Sequence, residues 1–122
     1  ARVPLYYAAA DVFLAPSTFP EGLPFTLLEA MSSGVAPVCS TQRAISAVVS
    51  DGLTGMLTPV HEARVFAQPI VRLLREPQLR ARVGDAARRE VMQHYSLHSM
   101  QRRLLEVIET MASIGQTVGA GN

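Results

Sequence analysis

"DVFLAPSTFPEGLPFTLLEAMSSGVAPVCS", Asp11 to Ser40, decides how the rest of the chain is read. Its first apolar run, Val12 to Ala15, has no polar alternation and stops at Pro16-Ser17. That is the pattern of a short strand buried on both faces. A polar loop, "STFPEG", follows, and a helix opens at about Pro24, where a proline suits the first helical position because its missing N–H would be unpaired anyway. Gly34 stands where a left-handed residue commonly closes a helix. "APVCS", Ala36 to Ser40, is a second unalternated run and a second buried strand. Strand, helix and strand in so short a span predict a parallel pair joined by a right-handed crossover.

Working outward, "TQRAISAVVSDG" predicts a short helix over Ala44 to Val49 and a turn at Asp51-Gly52. "TGMLTPV" predicts a third strand, Met56 to Thr58. Leu5 to Ala10 reads as part of a helix, and the chain opens at Ala1 already inside it, as a fragment would. Apolar residues at helical spacing predict helices over Ala63 to Arg75, Pro77 to Tyr95 and Leu97 to Met111. Pro69 should bend or break the first of these. The end, "GQTVGAGN", reads as a frayed tail. The fold class is α/β, with three parallel strands forming half of a doubly wound sheet and helices completing the chain.

Composition narrows the classes. With 122 residues, 48% apolar and 17% charged, the chain is a core-building domain or a piece of one. A net charge of +1 gives no general attraction to nucleic acid. All basic residues are arginine, and those from Arg72 to Arg89 interleave with Glu76, Asp85 and Glu90, the pattern of a solvated helix face. That face leaves peripheral contact with anionic lipid as the one membrane role to consider. Cys39 is the single cysteine and lies in an apolar run, which fits a reduced, cytoplasmic setting. No run approaches the roughly 18 apolar residues of a membrane span, and the first residues do not read as a signal peptide. "HEARV" at His61 lacks the second histidine of a zinc-protease helix, and His94 and His98 flank a helix junction, so no metal site is expected.

Ligands of parallel α/β sheets bind outside the carboxyl ends of the strands, and both "STFPEG" and "STQR" lie there. The loop holds Glu21, and the helix holds Glu29 on one stripe with Thr26 and Ser33, while Leu27, Leu28 and Met31 should turn toward the sheet. Helical side chains tilt toward the N-terminus, so Glu29 leans back toward the loop. A helix start attracts phosphate. Carboxylates flanking an anion site make chemical sense when they accept hydrogen bonds from hydroxyls, such as those of a ribose and a hexose. Spacing alone favours the plainer reading, an ordinary loop acid and a solvated helix acid.

"ADVFLAPS", "EGLP", "LEAMSSG", "APVCS", "DGLTGML" and "EPQLRARVGDAAR" occur in this order between about Leu5 and Met111. This succession resembles the C-terminal, donor-binding domain of the group 1 (family 4) retaining glycosyltransferases, which have the GT-B fold. The resemblance implies sugar transfer from a nucleotide-sugar with retention, to an acceptor such as a glycan or a lipid-linked saccharide. It implies Glu21 against the donor sugar as the catalytic residue and Glu29 on the nucleotide ribose. Gly22, Leu23, Pro24, Phe25, Thr26 and Leu27 would wrap the sugar and diphosphate. No cofactor and no metal are implied, since basic side chains and the helix dipole would stabilise the leaving diphosphate.

The chain departs from the family pattern after the second strand. Gln42-Arg43 and Ser46-Ala47 stand where a glycine pair and a Pro-Glu are usual, and His61 stands where an aspartate is common. Two other readings follow: a catalytically lapsed domain serving as a binding or scaffold module, and an epimerase or phosphorylase relative. Residues 1–113 are then read as a partial donor-binding domain, inactive alone, and 114–122 as a flexible tail. Three partner expectations accompany this: a nucleotide-diphosphate sugar, no nucleic acid, and a strand edge at Val12 to Ala15 that pairs with a missing N-terminal part or another copy. Leu104 and Ile108 should pack away from the sheet or lie exposed.

Overall fold

Ala36–Ser40 (β2) is the middle strand of a parallel sheet, with Val12–Ala15 (β1) on one side and Met56–Thr58 (β3) on the other. Leu14 pairs with Val38, and Val38 with Met56. The strand bounds and directions are those expected from the sequence. This is seen in a computed structural model that describes residues 3–20 and 22–119. The chain divides into two compact units, residues 1–92 and 93–122.

In the first unit the remaining elements are helices: Val3–Ala9 (α1), Phe25–Ser32 (α2), Arg43–Ser46 (α3), Ala63–Arg75 (α4) and all but the last two residues of Pro77–His94 (α5). Every residue of β2 is buried, because the strand is covered on both faces. Ala36, Val38 and Met56 join one core with Phe66 and Leu73 of α4 and Leu79 and Val83 of α5. Against β2 lies α2, which buries Leu27, Ala30 and Met31 completely. Leu28, expected to turn inward, is half-buried, and Ala30 takes the inward position instead. Burial pushes the Cys39 thiol up to about 12, so this side chain packs as a small hydrophobe. The expectation of burial on both faces fails for β1, where Leu14 is 46% exposed. The strand lies at the sheet edge, and only β2 borders it among the described residues.

Three local details differ from expectation, each for a physical reason. Pro24 is not the first helical residue but the N-cap, with ψ at 127°, and its carbonyl accepts from the Leu27 N–H at 3.1 Å. The short third helix starts at Arg43 and ends at Ser46, because Val48 and Val49 leave it to enter the core. Finally, α4 is not broken at Pro69. A proline removes the bond to the carbonyl four residues earlier, and here the Thr58 hydroxyl donates to that Val65 carbonyl at 3.4 Å. Arg80 Nη1 donates to the Leu73 and Leu74 carbonyls at 3.1 and 3.3 Å, satisfying the end of the same helix.

Ser40, at the end of β2, is 1% exposed, and its hydroxyl finds no partner among the described residues. A buried polar group without a partner is destabilising. Ser40→Ala is expected to leave stability unchanged or raise it by up to about 1 kcal/mol in urea unfolding. A clear loss would show that the hydroxyl has a partner.

The second unit is the helix Leu97–Gly119 (α6) with the segment before it. Ser96 acts as its N-cap, Oγ accepting from the Ser99 N–H at 3.2 Å. The Arg103 guanidinium lies over the Tyr95 ring, 5.8 Å from its centroid. The helix continues past the expected end at Met111. Thr110, Ser113 and Thr117 donate to carbonyls four residues back, and single glycines weaken a helix without ending it. Leu104 and Ile108 are exposed, at 60% and 52%.

Candidate functional site

The loop after β1 and the start of α2 stand at the carboxyl ends of the parallel strands, where the sequence placed a crevice. Two side chains organise it. Gln42 Nε2, after β2, donates to the Ser17 carbonyl at 3.2 Å and ties the two loops together. Within the first loop, Ser17 Oγ donates to the Phe19 carbonyl at 3.1 Å. Phe19 and Phe25 present their rings to solvent at 73% and 80% exposure.

Glu29 lies one turn into α2 on its exposed side, with Thr26 exposed beside it and Ser33 half-buried. This is the stripe expected from the spacing. The Tyr7 hydroxyl of α1 donates to Glu29 Oε2 at 3.1 Å. The Tyr7 ring in turn meets Phe13 of β1 at a centroid distance of 6.2 Å and a tilt of 58°. Slight desolvation, with the Glu29 carboxylate as hydrogen-bond acceptor and as negative charge, holds the Tyr7 phenol above its usual 10.0. The phenol is therefore a donor at every ordinary pH.

The other expected site residues divide. Gly22, Leu23 and Pro24 form the loop entering α2, Gly22 exposed and the other two half-buried. Phe25 and Thr26 begin the helix and are exposed. Leu27 is placed differently: its side chain is in the core and its N–H is taken by Pro24, so it holds the helix start and offers no surface. Glu21 lies outside the described residues. Tyr7 and Gln42 are contributions to the crevice that spacing did not reveal. Tyr7 is 22 positions from Glu29, beyond the reach of any local pattern.

The helix of α2 ends in a way that fixes its direction. The Gly34 N–H donates to the Met31 carbonyl, the Val35 N–H donates to the Ala30 carbonyl, and Gly34 adopts φ +78°. This paired closure needs a left-handed residue, which glycine supplies without strain. The helix start stands at the carboxyl-end side of the strands, following β1. Among the described residues no three His, Cys, Asp or Glu side chains form a metal-binding group. No helix among them is long and apolar enough to cross a membrane.

A family model described as glycosyl transferases group 1 matches residues 1–90. The chain belongs to this family. It is 36% identical over 118 residues to a phosphatidyl-myo-inositol mannosyltransferase of Mycolicibacterium smegmatis, covering 93% of this chain and 30% of the relative. It is 32% identical over 112 residues to the amylovoran biosynthesis glycosyltransferase AmsK of Erwinia amylovora, covering 88% and 28%. Anabaena HepE, solved in complex with UDP, superposes with a TM-score of 0.84 at 24% identity, over 90% of this chain and 30% of that one. The group 1 chain described here thus spans about 30% of the length of such relatives, and its fold is that of the GT-B C-terminal domain.

Proposed function

We propose that this chain is the donor-binding half of a retaining glycosyltransferase, which moves a sugar from a nucleotide-diphosphate donor to a glycan or lipid-linked acceptor. The observation that carries the reading is the placement of Glu29: on the exposed side of the helix that follows β1, with one carboxylate oxygen held by Tyr7. A diphosphate at the helix start puts the ribose within reach of this carboxylate, and an ionised acceptor suits a diol. Glu21 faces the donor sugar in this reading, with the Gly22 to Thr26 backbone around the diphosphate. Membership in the group 1 family and the mannosyltransferase relatives support sugar transfer as the reaction class. Leaving-group stabilisation falls to the helix dipole and basic side chains without a metal, and the protein works on the cytoplasmic side, with peripheral contact at the inner membrane.

Residues 1–113 are the donor-binding portion, and α6 runs on beyond them to Gly119 in place of the expected tail. The edge of β1 is the place for another strand, from the N-terminal part of the same protein or another copy. One observation favours a second reading, that of a lapsed domain used for binding. The bond from Gln42 to Ser17 closes two loops together where the family usually has glycines.

Glu29→Ala in the complete protein tests the main reading. Affinity for the donor and for the free nucleoside diphosphate should fall alike, by about tenfold or more, since a hydrogen bond to a charged group contributes about 1.5–3 kcal/mol. Calorimetric titration reads it out. Unchanged affinity for both ligands sinks the ribose assignment.

A further inference from the structure

We propose that Tyr7 is a positioning residue for nucleotide binding: its hydroxyl fixes the Glu29 carboxylate so that the remaining acceptor sites are pre-aimed at the ribose diol. The inference rests on the reading of Glu29 given above. It begins from a tertiary contact, since α1 and α2 meet only through the fold, and Tyr7 OH reaches Glu29 Oε2 at 3.1 Å across 22 positions. Glu29 is otherwise an exposed helix side chain with three rotatable bonds, free to sample many rotamers before ligand arrives. Tying down Oε2 removes that freedom in advance, and pre-organisation of this kind raises affinity without any new ligand contact.

Three features make the tether directional. Tyr7 is itself held, its ring against Phe13 of β1, so the donor is anchored to the sheet that carries the crevice. A carboxylate has acceptor capacity for about four hydrogen bonds, so one phenol leaves Oε1 and part of Oε2 for a ligand. Glu29 also sits on a helix whose far end is locked at Gly34, so the position of its backbone is set independently of the tether. A phenol is protonated at ordinary pH in any case, and desolvation with the neighbouring Glu29 carboxylate pushes the titration of Tyr7 further up.

The test is a double-mutant cycle on the complete protein with Tyr7→Phe, Glu29→Ala and the pair. UDP, GDP and ADP are titrated in turn, and the tightest is used throughout. Tyr7→Phe keeps the ring against Phe13 and removes only the hydroxyl. It should weaken nucleotide binding and raise donor KM by about threefold to tenfold, as expected for one solvent-exposed hydrogen bond to a charged group. Turnover at saturation and Tm should stay as in the parent, which a merely structural role for the hydroxyl would not give. On the Glu29→Ala background, Tyr7→Phe should add nothing, because the group it positions is gone.

Other outcomes overturn the proposal in distinguishable ways. Loss with Glu29→Ala but none with Tyr7→Phe removes the positioning role and leaves the ribose reading intact. No loss with Glu29→Ala, or no binding of any of the three nucleotides to the parent, removes both. An equal Tyr7→Phe effect with and without Glu29 means that Tyr7 acts through something other than this carboxylate. If Tyr7→Phe lowers Tm, Glu29→Gln supplies the second arm: it keeps an acceptor for Tyr7, so Tyr7→Phe must still weaken binding on that background for the proposal to stand.

Discussion

Gly84→Ala is expected to destabilise the sheet-bearing unit by about 3 kcal/mol, although alanine is the better helix former by about 1 kcal/mol. Gly84 lies in the middle of α5, and a Cβ built there would stand 2.1 Å from the Gly34 carbonyl oxygen and 3.1 Å from its carbon. Both obstacles are backbone, so no side chain can swing away. Gly34 is itself fixed, at φ +78° with its N–H on Met31, because it closes α2. Relief requires α5 to move off the sheet, carrying Leu79, Val83 and Ala87 out of close packing. Urea unfolding should show a lower midpoint with little change in slope. Gly115→Ala is the control, since a Cβ there meets nothing within 4 Å, and it should stabilise α6 slightly. Equal or greater stability of Gly84→Ala would show that the contact between α5 and the Gly34 turn is looser than described.

Glu21→Gln, made in the complete protein, should lower turnover by about a hundredfold or more while leaving nucleoside diphosphate affinity close to that of the parent. In the proposed arrangement Glu21 accepts hydrogen bonds from the donor sugar. These strengthen as positive charge develops on the ring in the transition state, so the negative charge matters more to the rate than to ground-state binding. Glutamine keeps the shape and removes the charge. Paired with Glu29→Ala, the experiment separates two roles, turnover for one carboxylate and nucleotide affinity for the other. Equal loss of diphosphate affinity in both variants would mean that the roles are wrongly divided. No turnover in the parent itself would leave the lapsed-domain reading, with Gln42 closing the loops, as the better account.

The stripe around Glu29 and the three strands were legible in the sequence for a shared reason. Burial imposes a pattern over neighbouring residues, and neighbours are what a sequence displays. β2 is covered on both faces and reads as one unbroken apolar run bounded by turn residues. β1 reads identically yet is half-exposed, because the run records what a strand can be buried against and not whether it is. Ala30 for Leu28 on the inner face of α2, and Pro24 as cap in place of first residue, are shifts of one or two positions at a boundary.

What the amino-acid order determined by itself was the element succession, the strand bounds, the parallel α/β class, the family-like motifs and the candidacy of Glu29. All depend on local periodicity, turn chemistry and residues close in the chain. Tertiary structure decided the rest. Pro69 stays within one helix, where the Thr58 hydroxyl of β3, outside that helix, donates to the carbonyl that proline leaves bare. Gly84 is a contact point with Gly34, not a weak spot in a helix. Glu29 is a held carboxylate and not a free one because Tyr7 lies across from it. Each outcome depends on which backbone or hydroxyl comes to lie opposite a given residue, and that is set only when the sheet and its helices have closed on one another.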